Sequence, residues 1–460
     1  MQGPKTLLKY PEHRSKIWFP AFKTEGEKPK NPVEKFLSLF ADVRAGEGVT
    51  ALLLGLNVFL LLCGYYLLKT SRESLILTQF GAEEKAYSSA GQAILLLLAV
   101  PFYGWVGTRV NRLKLLGGLN LFFAVNLVLF TAFGRAGAHI GVVFYIWVGI
   151  FNFFVVSQFW AFANDIYAEG AGRRLFPMIA FGQSLGAVAG ASLATALFGK
   201  IKSPYELMLL ATALLLASIA IIYVVNQREA RCGGATAARE AVEPLGSEGG
   251  FQLLARDRYL LWIAVLTVLL NWVNSSGEYL LGSLVKNESI LRYGEDLVSE
   301  PQRLRFIGMF YGNFLTWTNV IGLLTQLLLV SRLIRYAGVR KSLFVMPCIS
   351  LASYSAMAFV PVLALVRLFK ATENATDYSL QNTVRQALWL PTTREAKYKA
   401  KAAVDTFFAR LGDVFNAAVV FVVTSAGGGL QAIASFSVAL VLAWLWAASR
   451  IAKEHRKRTV

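Results

Sequence analysis

The sequence specifies an all-α integral membrane protein, with twelve transmembrane helices arranged as two six-helix halves. Four observations carry that expectation. Of 460 residues, 55% are hydrophobic and 16% charged, whereas soluble proteins carry roughly 25% charged residues. Apolar runs close to the roughly 20 residues needed to cross a bilayer recur throughout the chain. No run alternates with a strand period, which argues against a β-barrel. Finally, the net charge of +18 gathers in short segments between apolar runs, the pattern of membrane topology rather than of a nucleic-acid surface.

The elements follow in chain order. Residues 1–30 read as a flexible basic tail. Asn31-Pro32 suits a helix start, and Val33, Phe36, Leu37 and Phe40 then fall on one side, as in an interfacial helix. Together these make a basic segment over residues 1–48. Spans are expected near 49–69, 87–107, 114–133, 140–163, 174–198 and 205–226, forming an N-terminal half over 49–226. A polar segment, 227–256, with Gly233-Gly234 and Gly246, reads as the linker between halves. The C-terminal half, 257–449, holds spans near 257–282, 306–330, 341–361, 363–390, 402–424 and 429–449, and residues 450–460 form a basic tail.

Orientation follows from the loops. Arg109, Arg112 and Lys114; Arg173 and Arg174; Arg332, Arg335, Arg340 and Lys341; Arg394, Lys397 and Lys399; and the tail from Arg450 to Arg458 all fall on one side. That side is expected to be cytoplasmic, with both termini inside a bacterial inner membrane. On the other side, loop 283–305 sets Lys286, Arg292, Arg303 and Arg305 against Glu288, Glu295, Asp296 and Glu300. The halves echo each other, with a basic hinge after the second span of each, Gly104 to Lys114 and Ser331 to Lys341. Two parallel halves with a site midway between them are a common transporter plan.

Polar residues inside the spans mark candidate sites. In the first, Lys69 and Arg72 stand i,i+3, and Glu73 lies i,i+4 from Lys69. Either Lys69 snorkels to headgroups from a helix end, or the cations and the carboxylate face a water-filled cavity and grip an anion. The fourth span carries Gln158 and Asp165 on one face, Asp165 alternatively marking only the helix end. The fifth has Gly182, Gly186 and Gly190, a close-packing face; Gln183 stands beside it, its direction left open by the spacing. The seventh bears Asn271, Asn274, Ser275 and Glu278 as one stripe, which must face protein or water, for a ligand or for interhelical hydrogen bonds.

The tenth span is the most polar. Glu373, Asp377, Gln381 and Arg385 recur every four residues, a drift of only about 40° per step, so they share a side. The alternative is a surface helix, but alternation of the basic loops needs a crossing here. Asp377 and Arg385 are read as a gate or charge-balancing pair, with Lys69 or Arg72 as partner for Asp377 and Glu278 for Arg385. The eleventh span opens with Lys401 and Asp405 and continues to Arg410 and Asp413, which can also simply neutralise each other. Polar stripes therefore fall in spans one, four, seven and ten, equivalent helices in a transporter built of three-helix repeats.

Other chemistry is absent from the sequence. Cys63, Cys232 and Cys348 are too few and too far apart for a disulfide framework, and His13, His139 and His455 have no metal-ligand spacing. No Walker A loop, Ser/His/Asp set or zinc motif occurs, so no enzyme, metal or cofactor is expected.

Three motifs resemble those of the bacterial and plastid ATP/ADP translocase family. Lys69-Thr-Ser-Arg72-Glu73 resembles its first-span cationic pattern. Phe159 to Asn164 with Arg173-Arg174-Leu-Phe-Pro177 resembles its Phe-Trp-x-Phe-Ala-Asn and Lys-Arg-Phe-Tyr-Pro segments. Lys399-Ala-Lys401-Ala-Ala-Val-Asp405 with Arg410-Leu-Gly412 resembles its Lys-x-Lys-Ala-Ala-Ile-Asp and Arg-Leu-Gly segments. The resemblance implies a major-facilitator-like architecture and exchange of ATP, ADP or related organic phosphate anions by alternating access. It also implies that Lys69, Arg72 and Lys401 contribute cations to the nucleotide path. The chain departs from the family in having Asn274 and Glu278 where a seventh-span carboxylate precedes a lysine by four residues. Thr70 also replaces an acidic residue, which marks a divergent branch. The expected partners are a small anionic substrate and the lipid bilayer, with no nucleic acid, and the expected state is a monomer. The alternative function is a proton-coupled transporter of another solute, with Glu278 or Asp377 as proton carrier. A membrane anchor that no longer transports fits poorly with so many costly intramembrane charges.

Overall fold

The structure, a computed structural model, describes residues 32–38, 43, 44, 46–107, 110, 112–167, 169–200, 203–231, 249–393 and 395–459. The basic tail over 1–30 and most of the linker lie outside the described residues. Helices make up nearly all of what is described, and no strand occurs among these residues. A short α1 (Pro32–Leu37) precedes the N-terminal half: α2 (Gly48–Gln79), α3 (Ala82–Gly107), α4 (Arg112–Arg135), α5 (Gly141–Ile166), α6 (Glu169–Lys200) and α7 (Tyr205–Arg231). The C-terminal half holds α8 (Gly250–Arg256), α9 (Arg258–Tyr293), α10 (Glu300–Thr325), α11 (Ser331–Ser342), α12 (Val345–Phe359) and α13 (Leu363–Thr376). It continues through α14 (Asn382–Leu388), α15 (Lys401–Ala403), α16 (Ala409–Ser425) and α17 (Leu430–Thr459).

A helix lies at each of the twelve expected positions. Among the described residues, 10 helices are long and apolar enough to cross a membrane. The other two positions hold α12, an apolar helix of 15 residues, and the polar α13–α14 segment.

Several edges differ from expectation for physical reasons. Helix α2 runs 32 residues, well past Lys69, because the polar residues after it are buried and paired inside the protein. Lys69 is therefore mid-helix and does not snorkel from an end. The segment read as a linker is helical at both edges, where α7 continues to Arg231 and α8 begins at Gly250. There the Gly249 N–H donates to Gln252 Oε1 at 3.0 Å, and Asp257 caps α9 by accepting from the Tyr259 N–H at 2.9 Å. Helix α17 includes the residues read as a tail, fastened by an Arg458–Asp257 ion pair at 2.6 Å. The basic hinge Ser331 to Lys341 is helical except at Gly338, whose φ of 73° breaks it. Wide π-helical turns interrupt the C-terminal half at Gln326–Val330, Asp377–Gln381, Ala396–Ala400 and Val404–Phe408. Such turns break the regular hydrogen bonding and gather at functional sites.

Side-chain bonds identify two ends of the bundle. At the end carrying α1 and the last turn of α17, called the terminal end below, Arg174 bonds Glu47 at 2.9 Å, Thr50 bonds Glu229 at 2.7 Å and Arg458 bonds Asp257. At the far end, Gln79 accepts from the Gly141 N–H at 2.9 Å and Lys286 donates to the Phe80 carbonyl at 2.7 Å. The halves meet along α6–α10 and α3–α16. Close approach there depends on glycine: a Cβ on Gly308 would strike Phe198, and one on Gly312 would strike Thr195. Within the N-terminal half, Gly182, Gly186 and Gly190 sit on the backbone of Gly55, Phe59 and Cys63, the close-packing face expected from their spacing.

Candidate functional site

A cavity of about 660 Å³ lies between the halves. From the N-terminal half, α2 contributes Tyr65, Tyr66 and Lys69, α5 contributes Asn152, and α6 contributes Gln183. From the C-terminal half come Asn319 of α10, Asp377 and Tyr378 of the π-helical turn, Arg385 of α14 and Arg410 of α16. Three cations thus face one carboxylate. The roof is drawn by two bonds across the halves: Tyr66 OH to Asn319 Oδ1 at 3.0 Å, and Lys69 Nζ to Tyr378 OH at 3.5 Å. Beyond the roof, toward the far end, the halves are joined; on the terminal side of it the cavity continues down to Arg385 and Arg410.

The lining is rich in polar atoms with no partner. Asp377 Oδ1, Arg385 Nε and Asn319 Nδ2 are buried without a hydrogen bond, as is the whole amide of Gln381 beside them. Leaving one such group unmet costs about 1–3 kcal/mol. These atoms are sealed from the cavity surface in this state, so a partner reaches them only when the wall moves. Arg410 differs in having an internal partner, Asp413, at 3.3 Å, and Asp413 also accepts from Ser275 at 2.6 Å. The glycine of the Arg-Leu-Gly motif is explained by contact: a Cβ at Gly412 would meet Asn271 and the Trp272 backbone, so α16 can press on α9 only there.

Above the roof lies a continuous chain of alternating charge. Arg72 bonds Glu73 at 3.1 Å, and Glu73 bonds Lys85 at 2.7 Å. Lys85 reaches across the halves to Glu278 at 3.4 Å and to Tyr311 OH at 3.5 Å. Glu278 lies 4.0 Å from Lys370, which bonds Glu373 at 3.1 Å. Asn274 gives Lys370 two more acceptors, at 2.6 and 3.0 Å, and Ser350 donates to Glu373 at 2.6 Å. The Arg72 guanidinium lies 4.3 Å from the centre of the Tyr145 ring. The whole chain is neutral, and its single bond between oppositely charged groups of the two halves is Lys85–Glu278.

The structure separates the sequence candidates into groups. Lys69, Gln183, Asp377 and Arg385 line the cavity. Gln183 accepts from Trp160 Nε1 at 3.2 Å, which fixes the direction that spacing left open. Arg72, Glu73, Asn274 and Glu278 belong to the charge chain. Arg72 shares a face with Lys69 but stands one turn further along, past the level where the halves close. Arg385 does not meet Glu278, whose carboxylate is already held by Lys85, Asn374 and Lys370. Glu373 likewise turns inward to Lys370 and Ser350 rather than along the Asp377–Arg385 face. Asp165 is exposed at the terminal-side end of α5. Lys401 donates to Gln386 at 2.6 Å near the terminal side, and Asp405 is exposed one turn on. None of these last three lines the cavity.

Sequence reading passed over Lys85, Lys370, Tyr66, Asn319 and Tyr378. Lys85 was hidden because the second span was expected to start at residue 87, whereas α3 starts at Ala82. Lys370 stood in the open, a lysine i,i+3 from Glu373 inside a span.

Two helical halves closing around a central cavity define the major-facilitator fold. The chain superposes on the nucleoside transporter NupG with a TM-score of 0.63 at 13% identity, over 86% of this chain and 98% of that one. It superposes on a bacterial homologue of the iron transporter ferroportin, solved in an inward-facing state, with a TM-score of 0.61 at 16% identity, covering 88% and 98%. In sequence, residues 363–455 match the family model of the TLC ATP/ADP transporter. That stretch includes the Lys399–Asp405 and Arg410–Gly412 motifs. The chain is also 22% identical over 353 residues to ADP,ATP carrier protein 1 of Chlamydia trachomatis, a match that takes in 68% of this chain and 64% of the carrier. The likeness to ATP/ADP translocases read from three motifs is therefore found independently, while the match spans less than two thirds of the carrier's length.

Proposed function

We propose that this chain is a secondary transporter that exchanges nucleotides, or related organic phosphate anions, across the membrane by alternating access. The observation that carries the reading is the cavity between the halves, where Lys69, Arg385 and Arg410 outnumber Asp377 and aromatic rings stand among them. Its volume of about 660 Å³ lies within the roughly 300–1,000 Å³ of small-molecule sites. Phosphate oxygens suit the Arg385 fork and the Lys69 ammonium. The rings of Tyr65, Tyr66 and Tyr378, beside Lys69, offer faces on which a base can stack.

One chain supplies both halves of this site, so a monomer suffices. Arg174, Arg335, Arg340 and the α17 terminus give the terminal end its cations, and we assign that end to the cytoplasm of a bacterial inner membrane. The charge chain then closes the outer side and the cavity is the inward-facing site. Lys401 and Asp405 lie on the approach to it and Asp165 at its cytoplasmic rim, with Arg72, Glu73, Asn274 and Glu278 acting from above.

The test is uptake of labelled nucleotide into proteoliposomes, with and without unlabelled nucleotide inside. Faster uptake into preloaded vesicles is expected. Equal initial rates and plateaus would refute obligate exchange. A thermal-shift screen on the purified protein is an independent check, because ligand at a hundred times its dissociation constant adds about 2.7 kcal/mol.

A second reading, proton coupling, is favoured by one observation: Asp377 Oδ1 is buried in the cavity wall with no hydrogen bond. Glu278 is poorly suited to that role because its oxygens are already engaged by Lys85, Lys370 and Asn374. Uptake driven by an imposed proton gradient and lost in Asp377→Asn would establish it.

A further inference from the structure

A second cavity, of about 720 Å³, lies outside the transport site, at the far end between α6, α10 and the start of α13. Its polar part is made by Arg305, Arg367, Gln302 and Asn313, and its floor by Phe306 and Phe310. Among the described residues that line it, none is a carboxylate. Arg305 donates to the Gly199 carbonyl, across the boundary between the halves. Arg367 donates to Asn313 Oδ1 at 2.5 Å and lies 5.3 Å from the centre of the Phe310 ring. Both guanidiniums are met by neutral acceptors and a ring face. Arg305 is exposed at the head of α10 and Arg367 is half-buried, and no lining carboxylate stands beside either, so the groove presents two guanidiniums to an anion at the membrane edge.

The shape of the groove says what kind of anion would enter. On α10, Gln302, Arg305, Phe306, Met309 and Asn313 recur at three- and four-residue spacing and so share one face. Below them, Trp317, Ile321 and Leu324 are exposed apolar side chains close to the same face. Cationic and amide groups therefore sit at the membrane edge, and an apolar strip runs from them toward the middle of the bilayer. A free nucleotide or inorganic phosphate has no use for that strip, whereas a phosphate ester with acyl chains fits both parts.

We propose that this groove binds the headgroup of an anionic phospholipid in the leaflet opposite the termini, with the phosphate between Arg305 and Arg367. One consequence follows from position. Arg305 bridges to the N-terminal half, and Thr195 lines the groove while packing on Gly312. A lipid seated there fastens α6 to α10 and favours the state in which the far end is closed.

The test uses the full-length protein in nanodiscs of phosphatidylcholine with or without phosphatidylglycerol, read by native mass spectrometry of retained lipid and by thermal unfolding. Wild type should retain phosphatidylglycerol and be stabilised by it. Arg305→Gln/Arg367→Gln should lose retention by about thirtyfold, since each basic residue at an anionic surface contributes about a factor of five. Arg305→Lys/Arg367→Lys should keep most of it. Equal retention by wild type and the double glutamine variant would overturn the proposal. So would stabilisation of wild type by inorganic phosphate in neutral nanodiscs with phosphatidylglycerol silent, which would make this a soluble-anion site. Photoactivatable phosphatidylglycerol on wild type needs no variant: labelling should fall within residues 302–313 or 363–370, and labelling confined elsewhere refutes the site.

Discussion

Replacing Lys85 by Met tests whether the buried charges act as one unit. Lys85 is 4% exposed and its partner Glu73 is 3% exposed, so the ammonium cannot be replaced by bulk water. Without Lys85, Arg72 still neutralises Glu73, but Glu278 and Glu373 are left sharing Lys370, one carboxylate in excess. Removing one partner of a buried pair typically costs about 3–5 kcal/mol. Glu278 is 30% exposed and keeps its Asn374 bond at 3.2 Å, so the cost should fall near the low end, about 3 kcal/mol. The second substitution, Glu278→Gln in the Lys85→Met background, removes the excess charge and leaves two neutral pairs, Arg72–Glu73 and Lys370–Glu373. Stability should then return to within about 1.5 kcal/mol of wild type, a coupling typical of contacting groups. Thermal or denaturant unfolding of the four proteins in one detergent measures the cycle. Losses that simply add would show that Lys85 and Glu278 do not depend on each other. The single variant should also expose far-end cysteines, introduced near Phe198 and Gly308, to labelling. Unchanged labelling alongside full coupling would confine the chain to a structural role.

Further outcomes follow from the placements. Lys69→Ala and Arg385→Gln should each lower transport efficiency by about ten- to a hundredfold at equal protein level, the value of one charge-assisted contact, as measured by initial uptake rates. Lys401→Gln should raise KM with little change in maximal rate, and the effect should vanish at high salt, because Lys401 lies on the approach and steers rather than grips. Gly186→Val should leave little folded protein, since its side chain would meet the Phe59 backbone, whereas Gly117→Val, with open space around it, should be tolerated; size-exclusion profiles of the two distinguish them.

Much of the fold was legible because hydrophobic length is a strong signal and each apolar run could do only one thing. The Gly182–Gly186–Gly190 spacing announced a backbone contact, and the contact is there. The site was less legible, because a helical face says which residues point together but not at what depth the halves part. Lys69 and Arg72 share a face, yet one lies below the roof and the other above it, a difference of a single turn set by the partner half. The tenth span shows the same limit. A strict four-residue repeat groups Glu373 with Asp377 and Arg385, but a lysine three residues away captures Glu373, and a π-helical turn begins at Asp377. Lys85 was lost to a boundary error of a few residues, since a charged residue at a span's edge reads as loop.

The two sets of charges have opposite consequences for movement, which is why exchange is the mechanism they favour. Opening the far end must part Lys85 from Glu278. That leaves Arg72, Glu73 and Lys85 with one net positive charge on the N-terminal half, and Glu278, Lys370 and Glu373 with one net negative charge on the other. An entering anion restores neutrality to the first group; water must do so otherwise. Closing the terminal end brings Lys69, Arg385 and Asp377 into a shrinking space while only Arg410 has its own carboxylate, Asp413. An empty carrier would have to enclose that excess positive charge, at several kcal/mol per uncompensated ion after relaxation. Even about 4 kcal/mol between loaded and empty forms would slow empty return roughly a thousandfold. A phosphate-bearing substrate offsets the cavity charge during closure and then faces the freed Lys85 as the other end opens. Asp377 neutralises at most one of the cations, so under the proposed exchange the loaded form is the one expected to turn over.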